Sequence, residues 1–289
     1  MRFANVNGRL AVVLTDSTGF DLAASVRDDT LADPGAALRD WDRTLAAAEQ
    51  ACRAGGQDTI TWTLDELGAP SPAPSQIIAV GLNYAPHAAE SGLPTPAFPF
   101  AFTKTLPSLT GPAGVVIAES DFVDWEAELV VVIGRRARHV GVDEAWAHVA
   151  GVTGGQDISD REVQGRLGLN SQPTLGKSSP GFGPTGPFLV TPDELPDRDA
   201  VPFTGMVNDE VVQKGNTSDL LFTVLRLVSY LSSMLELRPG DLIFTGTPEG
   251  TGFGRVPPSY LADGDVLTTT FEGIGTMRHT IRRVDRPVL

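Results

Sequence analysis

Asp124, Glu126 and Glu128 stand at alternate positions just before, and partly inside, the apolar run Leu129-Val130-Val131-Val132-Ile133, which Gly134 closes. The run reads as a buried β-strand, β-branched and about six residues long. Side chains alternate faces along a strand, so the three acids share one face. Like charges at that spacing repel, and an unpaired buried carboxylate costs several kcal/mol. A divalent cation would offset the cost, and so would a set of arginines. A solvated strand end is the alternative for the two glutamates taken alone. Another acid, Asp157, follows a Gly pair in "GGQDISDREVQ". Glu126, Glu128 and Asp157 then make an all-oxygen set, which suits Mg²⁺, Mn²⁺ or Ca²⁺ and suits zinc less well. Three protein ligands leave positions open for water or substrate.

Other residues could act beside that set. His87 and Glu90 in "GLNYAPHAAE" are i and i+3, so one helical turn brings them together. A carboxylate orients a histidine and raises its basicity, as a general base requires; a surface helix is the alternative. Arg161 and Gln164 are three apart and share a helix face. Ser159 and Glu162 ahead of them form an S-x-x-E capping-box pattern. Lys177 sits in a loop rich in Gly and Pro, where a rigid backbone can aim it. Thr245 and Thr247 follow a strand, and the glycines around them allow close approach to a ligand.

The elements that must position these residues are mostly strands. Residues 3 to 24 read as short strands with turns at Asn7-Gly8 and Ser17-Thr18-Gly19. The stretch 33 to 56 reads as one helix, with Asp33 as N-cap, Pro34 at its first position and Gly55 as its stop. "GAPSPAPSQ", 68 to 76, reads as a boundary. The expected organisation is a small α+β N-terminal domain at 1–70 and a catalytic domain at 71–289. "QIIAVGLN" and "LRPGDLIFTGTP" each carry a strand. "FTGMVNDEVVQKG" is a hairpin with Asn208-Asp209 at its tip, and residues 265 to 284 form a terminal hairpin broken at Gly273 and Gly275. A helix is expected over about 218 to 236, from the spacing of Leu220, Leu221, Val224, Leu227, Val228, Leu231 and Leu235. Many strands with one long helix imply a mixed α/β fold with β predominant, a barrel or rolled sheet.

Composition narrows the function classes. The 289 residues are 41% hydrophobic and 20% charged, as in ordinary globular proteins. A formal charge of −14 argues against nucleic acid, whose phosphates need clustered Lys and Arg. No segment approaches the ~20 apolar residues that span a membrane. Cys52 is the single cysteine, which fits a reducing cytoplasm. Only three lysines occur, Lys104, Lys177 and Lys214, against 19 arginines. GC-rich codon usage explains that ratio, yet each lysine stands where an arginine was readily at hand.

"GLNYAPHAAE", "FTKTLPSLTGP", "DWEAELVVVIG", "GGQDISDREVQ", "LGKSSPGFGPTGP", "VNDEVVQ" and "PGDLIFTGTPEGTG" together resemble, in order and spacing, the fumarylacetoacetate hydrolase family. The resemblance runs from about Ile77 to Arg283. It implies the family's β-roll, a homodimer acting on a small molecule, and Mg²⁺ or Mn²⁺ on Glu126, Glu128 and Asp157. It implies a water-activating dyad of His87 and Glu90 on a segment that orders as a lid, with Lys177 as the third catalytic residue. Arg161, Gln164 and Thr247 match residues around the substrate. Asp124 has no family role, and a solvated or Arg-paired state is expected for it. The implied reaction is metal-dependent hydrolysis of a C–C bond in an acylpyruvate or 1,3-diketone. Decarboxylation of a 2-oxo acid such as oxaloacetate, and enol isomerisation, are alternatives on the same site. A non-catalytic, metal-stabilised binding protein is the competing class, and the joint presence of His87, Glu90, Lys177 and the three acids argues against it.

Overall fold

In the computed structural model the apolar run becomes the strand Ala127–Ile133, all seven residues of it buried. The structure describes residues 1–56, 59–165 and 172–285; the end of the expected 71–289 unit lies outside the described residues. The strand lies between two antiparallel neighbours, Val149–Gln156 and Leu242–Phe244. Its two faces enter different cores. Leu129, Val131 and Ile133 belong to the cluster that holds Val224, Leu227, Val228 and Leu231. Val130 and Val132 belong to the one that holds Phe3, Ile77 and Phe244. A strand covered on both faces has no polar side, which is why its sequence is uninterrupted in hydrophobicity.

From one edge to the other, the main sheet runs Thr59–Thr61, Thr18–Asp21, Arg9–Thr15, Arg2–Val6, Gly183–Val190, Val149–Gln156, Ala127–Ile133, Leu242–Phe244, Ile77–Gly81 and Phe100–Lys104. The first 70 residues extend this sheet, since Arg2 and Phe3 pair with Val190 and Leu189. A second sheet orders Glu210–Asn216, Pro202–Val207, Val266–Phe271, Gly275–Arg283 and Ala113–Ala118. The fold is mixed α/β with strands predominant, as the sequence implies.

Four local expectations change. The helix read over 33 to 56 is two helices, Pro34–Arg39 and Trp41–Arg53. Asp40 breaks it at φ −131°, caps the second helix through the Arg43 amide, and so serves as an N-cap hidden inside an apolar pattern. The helix read over 218 to 236 begins only at Val224 and ends at Met234. Leu221 and Phe222 give their amides to Asn83 instead, at 2.9 and 2.8 Å, and that competition unwinds the first turn. The S-x-x-E box does not form: the Ser159 hydroxyl donates to the Asp157 carbonyl, and Asp160 takes the Val163 amide at 3.1 Å. The hairpin tips at Asn7-Gly8 and Asn208 appear as expected, with both asparagines in the left-handed region. The second turn shifts to Asp16-Ser17, so that Thr18 and Gly19 begin the next strand. No helix among the described residues is long and apolar enough to cross a membrane.

Candidate metal centre and active site

Strand pairing assembles the acids. Val123–Asp124 pairs with Ser159–Asp160, and Ala127 pairs with Gln156, so the two chain segments leave the sheet side by side. The Asp157 amide donates to the Glu126 carbonyl at 2.9 Å, and Gln156 Oε1 accepts the Glu126 amide at 2.9 Å. The result is a buried triad, Glu126, Glu128 and Asp157, whose candidate ligand oxygens lie within 4.8 Å of one another.

Two buried lysines and the partly buried Arg161 surround the triad. Lys177 Nζ donates to Glu126 Oε2 and to Asp157 Oδ2, both at 2.6 Å. Lys104 Nζ donates to Asp157 Oδ1 at 2.6 Å and to the Lys177 carbonyl. Arg161 Nη2 donates to Glu126 Oε1 at 2.6 Å, and Arg161 Nε to Asp124 Oδ2 at 2.8 Å. Glu128 Oε2 instead accepts from the Gly246 amide at 2.7 Å. Gly246 can aim that amide because its φ is +105°, and a Cβ there would meet Asn83 Cβ at 2.7 Å.

Burial pushes the Glu126 and Glu128 carboxyls up, and the neighbours decide the outcome. For Glu126 the Lys177 and Arg161 charges win and hold it down to about 2. For Glu128 burial, then Asp157 and Glu126, push it well above the usual carboxylate range. Burial pushes Lys104 down, whereas Asp157 and Glu126 overcome burial and hold Lys177 up. With every group ionised, Asp124, Glu126, Glu128 and Asp157 would exceed Lys104, Lys177 and Arg161 by one negative charge, and Glu128 is the acid on which that excess falls. A three-carboxylate set with surplus negative charge fits a hard divalent cation, which turns the surplus positive and suits an anionic substrate.

The triad opens into a cavity of about 410 Å³ that His87, Glu126, Glu128, Arg161, Gln164, Lys177 and Thr247 all line. His87 and Glu90 lie on the short helix Ala85–Glu90, with His87 Nδ1 3.2 Å from Glu90 Oε2. A carboxylate facing Nδ1 favours the tautomer protonated there and leaves Nε2 as the base. Burial pushes the Glu90 carboxyl up, but hydrogen bonds from His87 and from the Gly250 amide bring it below the usual range. The Gln164 side chain accepts from Arg161 Nη1 at 3.1 Å, as the three-residue spacing predicts. Thr247 donates its hydroxyl to the Ala127 carbonyl at 3.0 Å and accepts from Gln213 at 2.8 Å. Thr245 bonds to the Leu129 carbonyl at 2.9 Å and serves the sheet, away from the cavity. Val80, Leu82, Leu93, Phe100, Phe102 and Phe253 supply the apolar wall.

Apart from Thr245, every candidate residue read from the sequence is thus brought to the cavity or to a residue that lines it. Sequence reasoning missed Lys104, Gln213 and the loop Gly250–Gly254. The lysine scarcity was the available signal, because two of the three lysines are buried in this site. Gln213 lies in the quoted "VNDEVVQ" segment, and its amide bridges the Ala127 amide to Thr247. Asp124 is Arg-paired and fully buried, which resolves the two states left open for it.

Residues 76–282 match the model of the fumarylacetoacetate (FAA) hydrolase C-terminal family. The chain belongs to that family. It is 42% identical over 244 residues to 2,4-didehydro-3-deoxy-L-rhamnonate hydrolase from Sphingomonas sp. (strain SKA58), covering 82% of this chain and 83% of the relative. It is 40% identical over 211 residues to the human mitochondrial oxaloacetate tautomerase FAHD2A, covering 72% of this chain and 67% of the relative. Among solved structures, maleylpyruvate hydrolase from Sphingobium sp. SYK-6 in complex with manganese(II) and pyruvate superposes with a TM-score of 0.79 at 27% identity, over 98% of this chain and 99% of the other.

Proposed function

We propose that the protein is a divalent-metal-dependent hydrolase that cleaves a C–C bond in an acylpyruvate-type 2-oxo acid. The observation that carries this reading is that His87, backed by Glu90, lines one cavity with Glu126 and Glu128, the two acids that Asp157 completes as a triad. A divalent ion on Glu126, Glu128 and Asp157, Mg²⁺ or Mn²⁺, would polarise the 2-oxo group and offset the negative charge that develops there. The similar maleylpyruvate hydrolase solved with manganese(II) and pyruvate supports a divalent ion as the cofactor. His87 Nε2 takes a proton from water while Glu90 holds Nδ1–H. The water oxygen attacks the distal carbonyl, and the C–C bond breaks. Its electron pair stays with the pyruvyl fragment, which takes a proton, so the products are a carboxylic acid and pyruvate. Lys177 adds positive charge beside the developing anion. Arg161, Gln164 and Thr247 orient the substrate.

A second reading, tautomerisation or decarboxylation of oxaloacetate, draws support from the relatives named oxaloacetate tautomerase. It uses the same charges but no water nucleophile. The proposed assembly is a homodimer, consistent with exposed apolar side chains at Phe98, Leu106 and Leu175 and checked by sedimentation. The deciding experiment for function is a Mn²⁺ and Mg²⁺ titration coupled to turnover of acylpyruvates and oxaloacetate. Metal-dependent release of pyruvate and acid supports the hydrolase. Turnover of oxaloacetate alone supports the second reading, and metal binding without any turnover rejects both.

A further inference from the structure

Asp124 is a fully buried acid outside the triad, and the mechanism above gives it no task. Its carboxylate is saturated by N–H groups from separate places. Oδ1 accepts the Trp125 amide at 2.8 Å and the Gly252 amide at 2.7 Å. Oδ2 accepts the Phe253 amide at 3.0 Å and Arg161 Nε at 2.8 Å, with Arg161 Nη2 at 2.7 Å. The same loop holds the His87 helix by its other end. The Gly250 amide donates to Glu90 Oε1 at 3.0 Å, and the Thr251 hydroxyl donates to Glu90 Oε2 at 3.1 Å. A Cβ on Gly254 would overlap the Glu90 side chain, so loop and helix approach as closely as glycine allows. Phe253, between the two anchors, lines the cavity with its ring 5.8 Å from the Arg161 guanidinium.

We propose that the loop Gly250–Gly254 is a latch that seats the helix Ala85–Glu90, and that Asp124 is the positioning residue that ties this latch to Arg161. While Asp124 holds the amides of Gly252 and Phe253, Gly250 and Thr251 stand where Glu90 docks. The same carboxylate fixes the guanidinium that faces the substrate. The placement of the base and the placement of the substrate clamp therefore depend on one buried acid. The kinetic consequence rests on the proposed roles of His87 and Arg161; the mechanical coupling does not.

Asp124→Asn is the central variant. It keeps the shape but offers one acceptor oxygen, and its NH₂ must face an N–H donor on one side or the other. Amide hydrogen exchange across 85–92 should then quicken about tenfold, the effect of losing one or two hydrogen bonds. Mn²⁺ binding, titrated with the metal alone, should weaken because one negative charge is lost, while kcat falls and KM rises together. Gly254→Ala tests the same device from the far end, without touching Asp124 or a metal ligand. Coupling is reciprocal, so it should quicken exchange both over 85–92 and at the amides of 252 and 253. Should Asp124→Asn not fold, Gly254→Ala still decides. Unchanged exchange at 252 and 253 in Gly254→Ala overturns the tie, and unchanged exchange over 85–92 in either variant overturns the latch. If the wild type turns over neither acylpyruvates nor oxaloacetate, the functional reading fails while the exchange data still judge the latch.

Discussion

The pairs Arg9–Asp21 and Arg43–Asp28 in the first 70 residues and the pairs around Glu126 use the same functional groups, and differ in how much water reaches them. The Arg9 and Arg43 side chains are each 50% exposed. Lys104 and Lys177 are 0% and 6% exposed, and the acids they meet are no more accessible. In water such pairs contribute roughly 0.2–1 kcal/mol and weaken with salt. Out of water, desolvation rivals the attraction, and a pair broken on one side leaves a charge with no partner. The lesson is that the outer pairs hold local structure in place, whereas the inner cluster holds an unbalanced charge in readiness for a ligand.

The largest effect should come from removing that imbalance. Glu128→Gln takes away a proposed metal ligand and the acid that its surroundings push hardest toward protonation. Turnover should vanish. The metal-free protein should be no less stable, because a neutral side chain of the same shape replaces a carboxyl already pushed toward its neutral form, yet the stabilisation by Mn²⁺ should disappear. For an intact site at 100 times Kd that stabilisation is about 2.7 kcal/mol. A variant that still gains stability from the metal would place the ion elsewhere. Next comes His87→Ala, which should lower acylpyruvate hydrolysis by ~10²–10⁴-fold, the usual worth of a general base. Oxaloacetate decarboxylation needs no water nucleophile at the cleavage step and should fall much less. Equal losses in the two assays would mean that His87 shapes the cavity or protonates product, not that it activates water.

The same contrast in burial explains what could be read in advance. The strand Ala127–Ile133 was legible because a run buried on both faces is apolar without interruption. The triad was legible because acids inside such a run have few reasons to be there. His87 with Glu90, and Arg161 with Gln164, were legible from helical spacing alone. Lys104 was not, because it comes from an edge strand 53 residues before Asp157, and no local spacing connects them. The hold of Asn83 on Phe222 spans 139 residues and was equally invisible, which is why the helix over 224–234 was drawn too long. Asp40 failed for the opposite reason: the apolar periodicity on both sides of it concealed a local cap.

Lys104→Met should act on the cluster with the opposite sign from Glu128→Gln. It raises the surplus from one negative charge to two and leaves Asp157 Oδ1 without its ammonium. Removing one partner of a buried pair costs roughly 3–5 kcal/mol. The metal-free variant should therefore be much less stable than wild type. Mn²⁺ should restore more stability to it than it adds to the wild type, since the ion now neutralises a larger charge. Thermal unfolding with and without Mn²⁺ reads both quantities. A metal-induced gain no larger than that of the wild type would show that Lys104 matters through packing and not through charge.

The smallest effect belongs to the outer pairs, and Arg9→Ala measures it. Asp21 is itself buried, which pushes its carboxyl up, but the Arg9 hydrogen bond and the Ala24 amide bring it below its ordinary value of 3.8. A lowered folded pKa gives stability that is present above pH 3.8 and is lost as pH falls through the folded value. Arg9→Ala removes the stronger of those hydrogen bonds and leaves the cap to Ala24, 2.8 Å away, intact. At pH 7 it should cost roughly 0.2–1 kcal/mol. As pH falls below the lowered folded value of Asp21, the difference from wild type should nearly close, because Asp21 is then protonated in both. Salt supplies the second axis. In 1 M NaCl, where the screening length is about 3 Å, the Arg9→Ala difference should shrink toward zero, whereas the Lys104→Met difference should persist, since the Lys104–Asp157 pair is out of contact with bulk solvent. An Arg9→Ala loss that survived both acid and salt would put this pair in the same class as the inner ones and remove the contrast between the two regions.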